Sequence, residues 1–234
     1  MKSAKIRHML YLALLFFEIA VLFLLSREVS KTLSKFMSII FLSFLFLPGV
    51  IIHELSHMLM AVMLFVGVGS MEFSPKISPN GVKLGSIEIA KTDPMRRSMI
   101  GFAPVLFGMT LILGLIYLST DSGFVTQAIE LNGLFGVGIA GLVFYLLFAI
   151  SNTMFSSKKD MEGTLEILIT LLIIFIAVYV LGFRPPVDFV EKIFTKEIVE
   201  IVRKSSLFLL APIAIDMLIL GTIGLFTYTR SRKF

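Results

Sequence analysis

Apolar and polar positions in this chain are segregated into long blocks. Six apolar runs, at residues 9–25, 36–68, 98–118, 131–150, 164–183 and 206–228, are separated by short stretches holding most of the charge. Runs of this length predict helices that cross a bilayer. The second is too long for one straight crossing: as a helix it would measure roughly 50 Å against a hydrocarbon core of about 30 Å. It must tilt, break or extend out of the bilayer, and Pro48-Gly49 supplies the cause of a kink. Between the second and third runs the period changes. Met71, Phe73, Ile77, Val82, Leu84, Ile87 and Ile89 alternate loosely with polar residues around Asn80-Gly81, predicting a β-hairpin with strands near 71–78 and 82–90. Residues 187–204 put Val187, Val190, Phe194, Ile198 and Ile201 near one face, as in an amphipathic interfacial helix. The expected fold is an all-α polytopic membrane protein with six transmembrane helices and a β-hairpin between helices 2 and 3. It divides into residues 1–35 (first helix and loop), 36–163 (helices 2–4, the hairpin at 70–93 and a polar segment) and 164–234 (the last two helices and the amphipathic segment).

Composition narrows the class. Hydrophobic residues make up 57% and charged residues 16%, with a mean hydropathy of +0.96, which excludes a soluble domain with a polar surface. The net charge of +5 resides in loops beside apolar runs, where lipid headgroups and topology explain it better than nucleic acid. Without cysteine there is no disulfide, thiol nucleophile or thiolate ligand, so a metal would have to use His, Asp and Glu. Lys2, Lys5 and Arg7 ahead of the first run resemble a signal peptide. No small-x-small cleavage site follows, so a retained helix is expected. Glu18 in that helix and Asp216 in the sixth are expected to face polar partners on other helices, and His8 to lie at the interface.

One of the long runs carries His53-Glu54-Leu55-Ser56-His57, an H-E-x-x-H sequence. On a helix, positions i and i+4 share a face, so His53 and His57 can offer two imidazole nitrogens to one zinc ion (Zn2+) with Glu54 beside them as general base. Three titratable groups within five residues are costly in lipid and persist where they bind something or line a cavity. Catalytic zinc takes three protein ligands plus a water. With His8 outside the spans, the third must be a carboxylate.

Six alternating spans would end the second and fourth on the same side, which brings Asp160, in the polar segment 151–163, to the end of the H-E-x-x-H helix, with Glu162 in reserve. On that topology 13 of the 21 Lys and Arg lie with the two termini, the hairpin and the Asp160 segment, which predicts a cytoplasmic location for all four.

These residues resemble the site-2 protease family of intramembrane zinc metalloproteases, over roughly residues 48–163. Family members pair a membrane-embedded H-E-x-x-H with a later Asp in an N-x-x-P-x-x-P-L-D-G type segment, within a core of three helices. Here Asn152 precedes Asp160 by the family's eight residues, while Phe155 and Lys158 stand in place of the prolines, Lys159 in place of Leu and Met161 in place of Gly. Ala103-Pro104 is similar to the small-residue and proline pattern of the next core helix, where Phe107 stands at a frequent Asn position. The resemblance implies a zinc metalloendopeptidase cutting transmembrane protein substrates, with His53, His57 and Asp160 on the metal, Glu54 as catalytic base and Asn152 bonding the substrate backbone or the oxyanion. The lack of cysteine and the compact architecture point to a multi-pass protein of a prokaryotic plasma membrane.

Three other readings stay open. A CAAX-type membrane metalloprotease would use Glu162 or Glu166 as third ligand, an ion or metal transporter would use the motif as a pathway, and a silent homologue would act as a scaffold.

Overall fold

The computed structural model describes residues 2–73, 76–78, 81–120, 123–155, 170, 173–174, 176–177, 180–182 and 196–231. The described residues are mostly helical, and among them four helices are long and apolar enough to cross a membrane, at Ile39–Met63, Pro94–Ser119, Gly133–Thr153 and Val202–Leu225. Well under half of each such span is buried, and Phe41, Phe44, Leu134 and Leu218 point outward, as expected of helices solvated by lipid.

Helix α1 (Lys2–Phe36) buries one stripe, Glu18, Leu22, Ser26, Val29 and Leu33, at the three- and four-residue spacing of a single face. Two residues then reverse the chain into α2 (Ile39–Met63), where the extended Ser38 accepts a hydrogen bond from the Phe41 amide at 3.3 Å. Pro48 lies inside α2 without ending it. The carbonyl of Phe44, which would have bonded the missing N–H of Pro48, accepts instead from the Tyr145 hydroxyl at 3.3 Å. The helix stops at Met63, so His57 lies about 9 Å from its end.

The hairpin is present in two parts. Strand β1 (Val68–Glu72) pairs antiparallel with β4 (Ser86–Ile89), and β2 (Lys76–Ser78) with β3 (Gly81–Lys83). Ser78 stands opposite Gly81, which moves the expected turn back by one residue and puts Gly81 in the strand. The ladder is interrupted before β4, where the buried Gly85 presses on α2.

Helix α3 (Pro94–Thr120) begins four residues earlier than expected, with proline at its first position. The Arg96 amide donates to Asp93 Oδ1 at 3.0 Å. That bond first, and the Arg96 charge after it, hold the Asp93 carboxyl below its usual range, so the cap persists until the pH drops beneath that range. The expected loop 119–130 contains a short helix, α4 (Phe124–Leu131). Its Phe124, Ala128 and Ile129 are one-sided, but eight residues are too few for the periodicity to register.

Asn132 caps α5 (Gly133–Thr153) through a hydrogen bond from the Phe135 amide. Glycines at 133, 136, 138 and 141 would suit close helix packing. Only Gly136 is close-packed, against the Ile129 backbone of α4; Gly133, Gly138 and Gly141 meet nothing within 4 Å among the described residues.

The fifth predicted span and the segment 156–195 lie almost entirely outside the described residues. Lys196–Ser231 form one continuous helix, α6, so residues 196–204 belong to the last helix instead of a separate interfacial one.

Contact pairs fix the helix directions. Phe44 with Tyr145, Phe46 stacked on Phe148 and Gly49 against Ala149 and Thr153 advance together, so α2 and α5 are parallel. Ile100 beside His57 and Gly108 beside Met154 run the opposite way, making α3 antiparallel to both. Helix α1 opposes α2, since only Met37 and Ser38 separate the two and Phe23 meets Phe155 edge-on at 5.5 Å near the end of α5.

Ser206 of α6 donates to Glu18 at 2.9 Å, and ten residues later Asp216 accepts from Asn152, a turn before Phe155 and so beside the Ser26 region of α1. Helix α6 therefore runs in the same direction as α1. Strict alternation of six spans requires these two helices to be opposed. The described geometry instead starts α6 on the side where α5 ends and carries its carboxy-terminal end to the side opposite the start of α1. Glu18 and Asp216 both have polar partners on other helices, as expected.

Candidate metal centre

Helices α2, α3 and α5 enclose the H-E-x-x-H turn. His53, Glu54 and His57 are each at most 6% exposed. Apolar packing alone gives little driving force between helices in lipid, so close approach at small residues and interhelical hydrogen bonds set the geometry. A Cβ at Gly49 would overlap the Ala149 carbonyl oxygen and Thr153 Oγ1, which puts α5 directly against the turn of α2 preceding His53. At the other end Met60, Ala61, Val66, Ile100 and Ala103 form a separate apolar cluster over His57.

The two imidazoles converge. Their Nε2 atoms are 3.2 Å apart, with ring centroids at 4.8 Å and planes at 87°. Lines of about 2.0–2.1 Å drawn from nitrogens at that separation meet at roughly 100–105°, close to the tetrahedral angle zinc takes. His57 Nδ1 lies 2.8 Å from the carbonyl oxygen of Ile100 on α3. A carbonyl only accepts, so Nδ1 carries the proton, and in the neutral form of the ring the lone pair lies on Nε2, the atom that faces His53. Backbone anchoring of the other ring nitrogen is the usual support of a metal-binding histidine. The pair fits two of the three ligands of a zinc site. Among the described residues no group of three or more His, Cys, Asp or Glu side chains is placed to hold a metal, and Asp160, Glu162 and Glu166 lie outside those residues.

Glu54 faces the hairpin. A Cβ on Gly85 would stand 3.0 Å from Glu54 Oε1 and 2.7 Å from Val50 Cγ1, so the hairpin folds back along α2 to the level of the motif. Only glycine allows this approach without moving the carboxylate. A lone Gly in a strand pattern is the sequence signal of close backbone approach, although it does not name the partner.

Asn152 and Asp216 form a buried pair between α5 and α6. Asn152 Nδ2 donates to Asp216 Oδ1 at 2.7 Å and to the Phe148 carbonyl at 3.0 Å. Both partners are acceptors, which fixes the orientation of the amide and commits both of its hydrogens. Asn152 Oδ1 and Asp216 Oδ2 have no hydrogen-bond partner among the described residues.

His53, Glu54 and His57 are thus brought together, and Asn152 lies on the arc of α5 that faces α2, between Phe148 and Ala149. No protein-family model matches this chain, and neither a curated protein nor a solved structure does.

Proposed function

We propose that the protein is an intramembrane zinc metalloendopeptidase, similar to the site-2 proteases, that hydrolyses peptide bonds in or near membrane-spanning segments of other proteins. The observation carrying this reading is the buried pair of Nε2 atoms 3.2 Å apart with an adjacent glutamate, on a helix apolar enough to cross a bilayer. His53, His57 and Asp160 would hold the metal. A zinc ion bound there supplies a Lewis acid and lowers the pKa of its water toward about 7.

Glu54 accepts the proton of the attacking water and delivers it to the leaving amine. A transmembrane substrate hides its scissile carbonyl in a helical hydrogen bond and must first unwind. The hairpin beside Glu54 offers strand pairing to the extended segment. With both Asn152 hydrogens committed, that residue offers Oδ1 as an acceptor for a substrate N–H, which replaces the oxyanion role implied by the resemblance. Parallel α2 and α5 support Asp160 as third ligand: the chain leaves Phe155 five residues before it, a reach of up to about 17 Å. The amino terminus, the hairpin and the Asp160 segment would face the cytoplasm.

Zinc bound per chain, measured on the full-length protein in detergent, tests the ligand set. One equivalent is expected for wild type, with loss in His53→Ala, His57→Ala and Asp160→Ala. Zinc retained in Asp160→Ala but lost in Glu162→Ala or Glu166→Ala moves the reading to the CAAX type. A wild type that takes up no zinc sinks the proposal.

Gly85→Ala probes the hairpin contact. The atoms its methyl meets belong to side chains that can shift, so fold and zinc content should survive while the displaced Glu54 slows cleavage on the order of 10- to 100-fold. Unchanged cleavage would separate the hairpin from the site.

A further inference from the structure

In an α-helix the carbonyl of residue i accepts the amide hydrogen of residue i+4. Pro104, inside α3, has no amide hydrogen, so the carbonyl of Ile100 loses its ordinary partner within the helix. Ile100 is buried at 3% exposure, where water does not reach to replace the bond and an unmet carbonyl is costly. His57 Nδ1 occupies the place of that missing donor, at 2.8 Å. The same arrangement recurs at Pro48, whose freed Phe44 carbonyl takes the Tyr145 hydroxyl. In each case a side chain of a neighbouring helix supplies the hydrogen that proline lacks.

The consequence at His57 differs from that at Tyr145 because an imidazole has two inequivalent nitrogens. Protonation at Nδ1 leaves the lone pair on Nε2, the atom 3.2 Å from His53 Nε2. We infer that Pro104 is a positioning residue for the metal centre: by freeing the Ile100 carbonyl it fixes His57 in the Nδ1–H tautomer and aims the Nε2 lone pair at the site. The tautomer follows from the contact alone, whereas its use in binding metal rests on the function proposed above. If Pro104 served only to shape α3, its replacement would alter stability and leave the tautomer unchanged.

The test uses the full chain in detergent micelles with ¹⁵N-labelled histidine, metal-free, in mildly alkaline buffer where an ordinary histidine is neutral. Only three histidines contribute signals, and long-range ¹H–¹⁵N correlations report which nitrogen of each is protonated. His57 is expected as Nδ1–H in wild type. Pro104→Ala restores an amide hydrogen to the Ile100 carbonyl, so His57 should shift toward Nε2–H. Zinc affinity, measured by competition with a chelator, should fall roughly 10- to 100-fold.

A wild-type His57 protonated at Nε2 overturns the inference, and this measurement stands even if Pro104→Ala does not fold. A folded Pro104→Ala with wild-type tautomer and affinity also overturns it, because the carbonyl's second lone pair then serves both donors. A wild type with Nδ1–H at His57 that binds no zinc leaves the tautomer assignment standing and overturns the metal reading instead.

Discussion

Glu54→Gln is expected to leave the protein folded and zinc-loaded while cleavage of a membrane-span substrate falls by about 10²- to 10⁴-fold. The substitution preserves the size of the side chain against Gly85 and Val50, so the packing of the hairpin on α2 has no reason to change. What disappears is the ability to take a proton from water and return it to the departing amine. Glutamine also leaves both imidazoles and the Ile100 contact intact, which is why metal content should hold. Zinc content and turnover measured on one preparation separate these effects. Cleavage at the wild-type rate would remove Glu54 from the chemistry, and loss of zinc together with activity would mark it as a ligand.

Gly49→Val is expected to destabilise the protein by about 3 kcal/mol, the upper part of the usual range for overpacking. The new Cβ would overlap the Ala149 carbonyl oxygen and Thr153 Oγ1, with the Ala149 carbonyl carbon at 2.7 Å. Two of these three atoms are backbone of a regular helix and cannot rotate aside. The expected relief is a separation of α2 from α5, which also draws the start of the Asp160 segment away from His53. Denaturant midpoints in mixed micelles should therefore drop, and zinc affinity with them. Gly138→Ala on the open face of α5 is the control, since nothing lies within 4 Å of that position among the described residues. An unchanged midpoint in Gly49→Val would rule out the close α2–α5 contact.

Legibility in the sequence followed the range of the interactions. His53, Glu54 and His57 could be read directly because their geometry depends on one turn of one helix. The hairpin was legible from its alternation, but Ser78 stands opposite Gly81, one residue from the register expected of Asn80-Gly81, because a turn dipeptide is favourable at more than one register. The Ile100 contact to His57 spans 43 residues and involves a backbone atom, which no side-chain pattern encodes. Asp216 and Asn152 were both conspicuous, yet their pairing across 64 residues depends on the direction of α6. That direction could not be obtained by counting apolar runs, since a run shows that a segment suits lipid and leaves open how the chain returns to it.

The shared direction of α1 and α6 changes the electrical profile of the protein. Among the described residues, 11 Lys and Arg gather on the side of the hairpin and 4 lie on the other. Strict alternation, with α6 reversed, would divide the same residues as 9 and 6. The folded arrangement is thus the more polarised of the two. A resting potential that is negative on the cation-rich side would act on those charges to hold the orientation, with Arg230 on the opposite face.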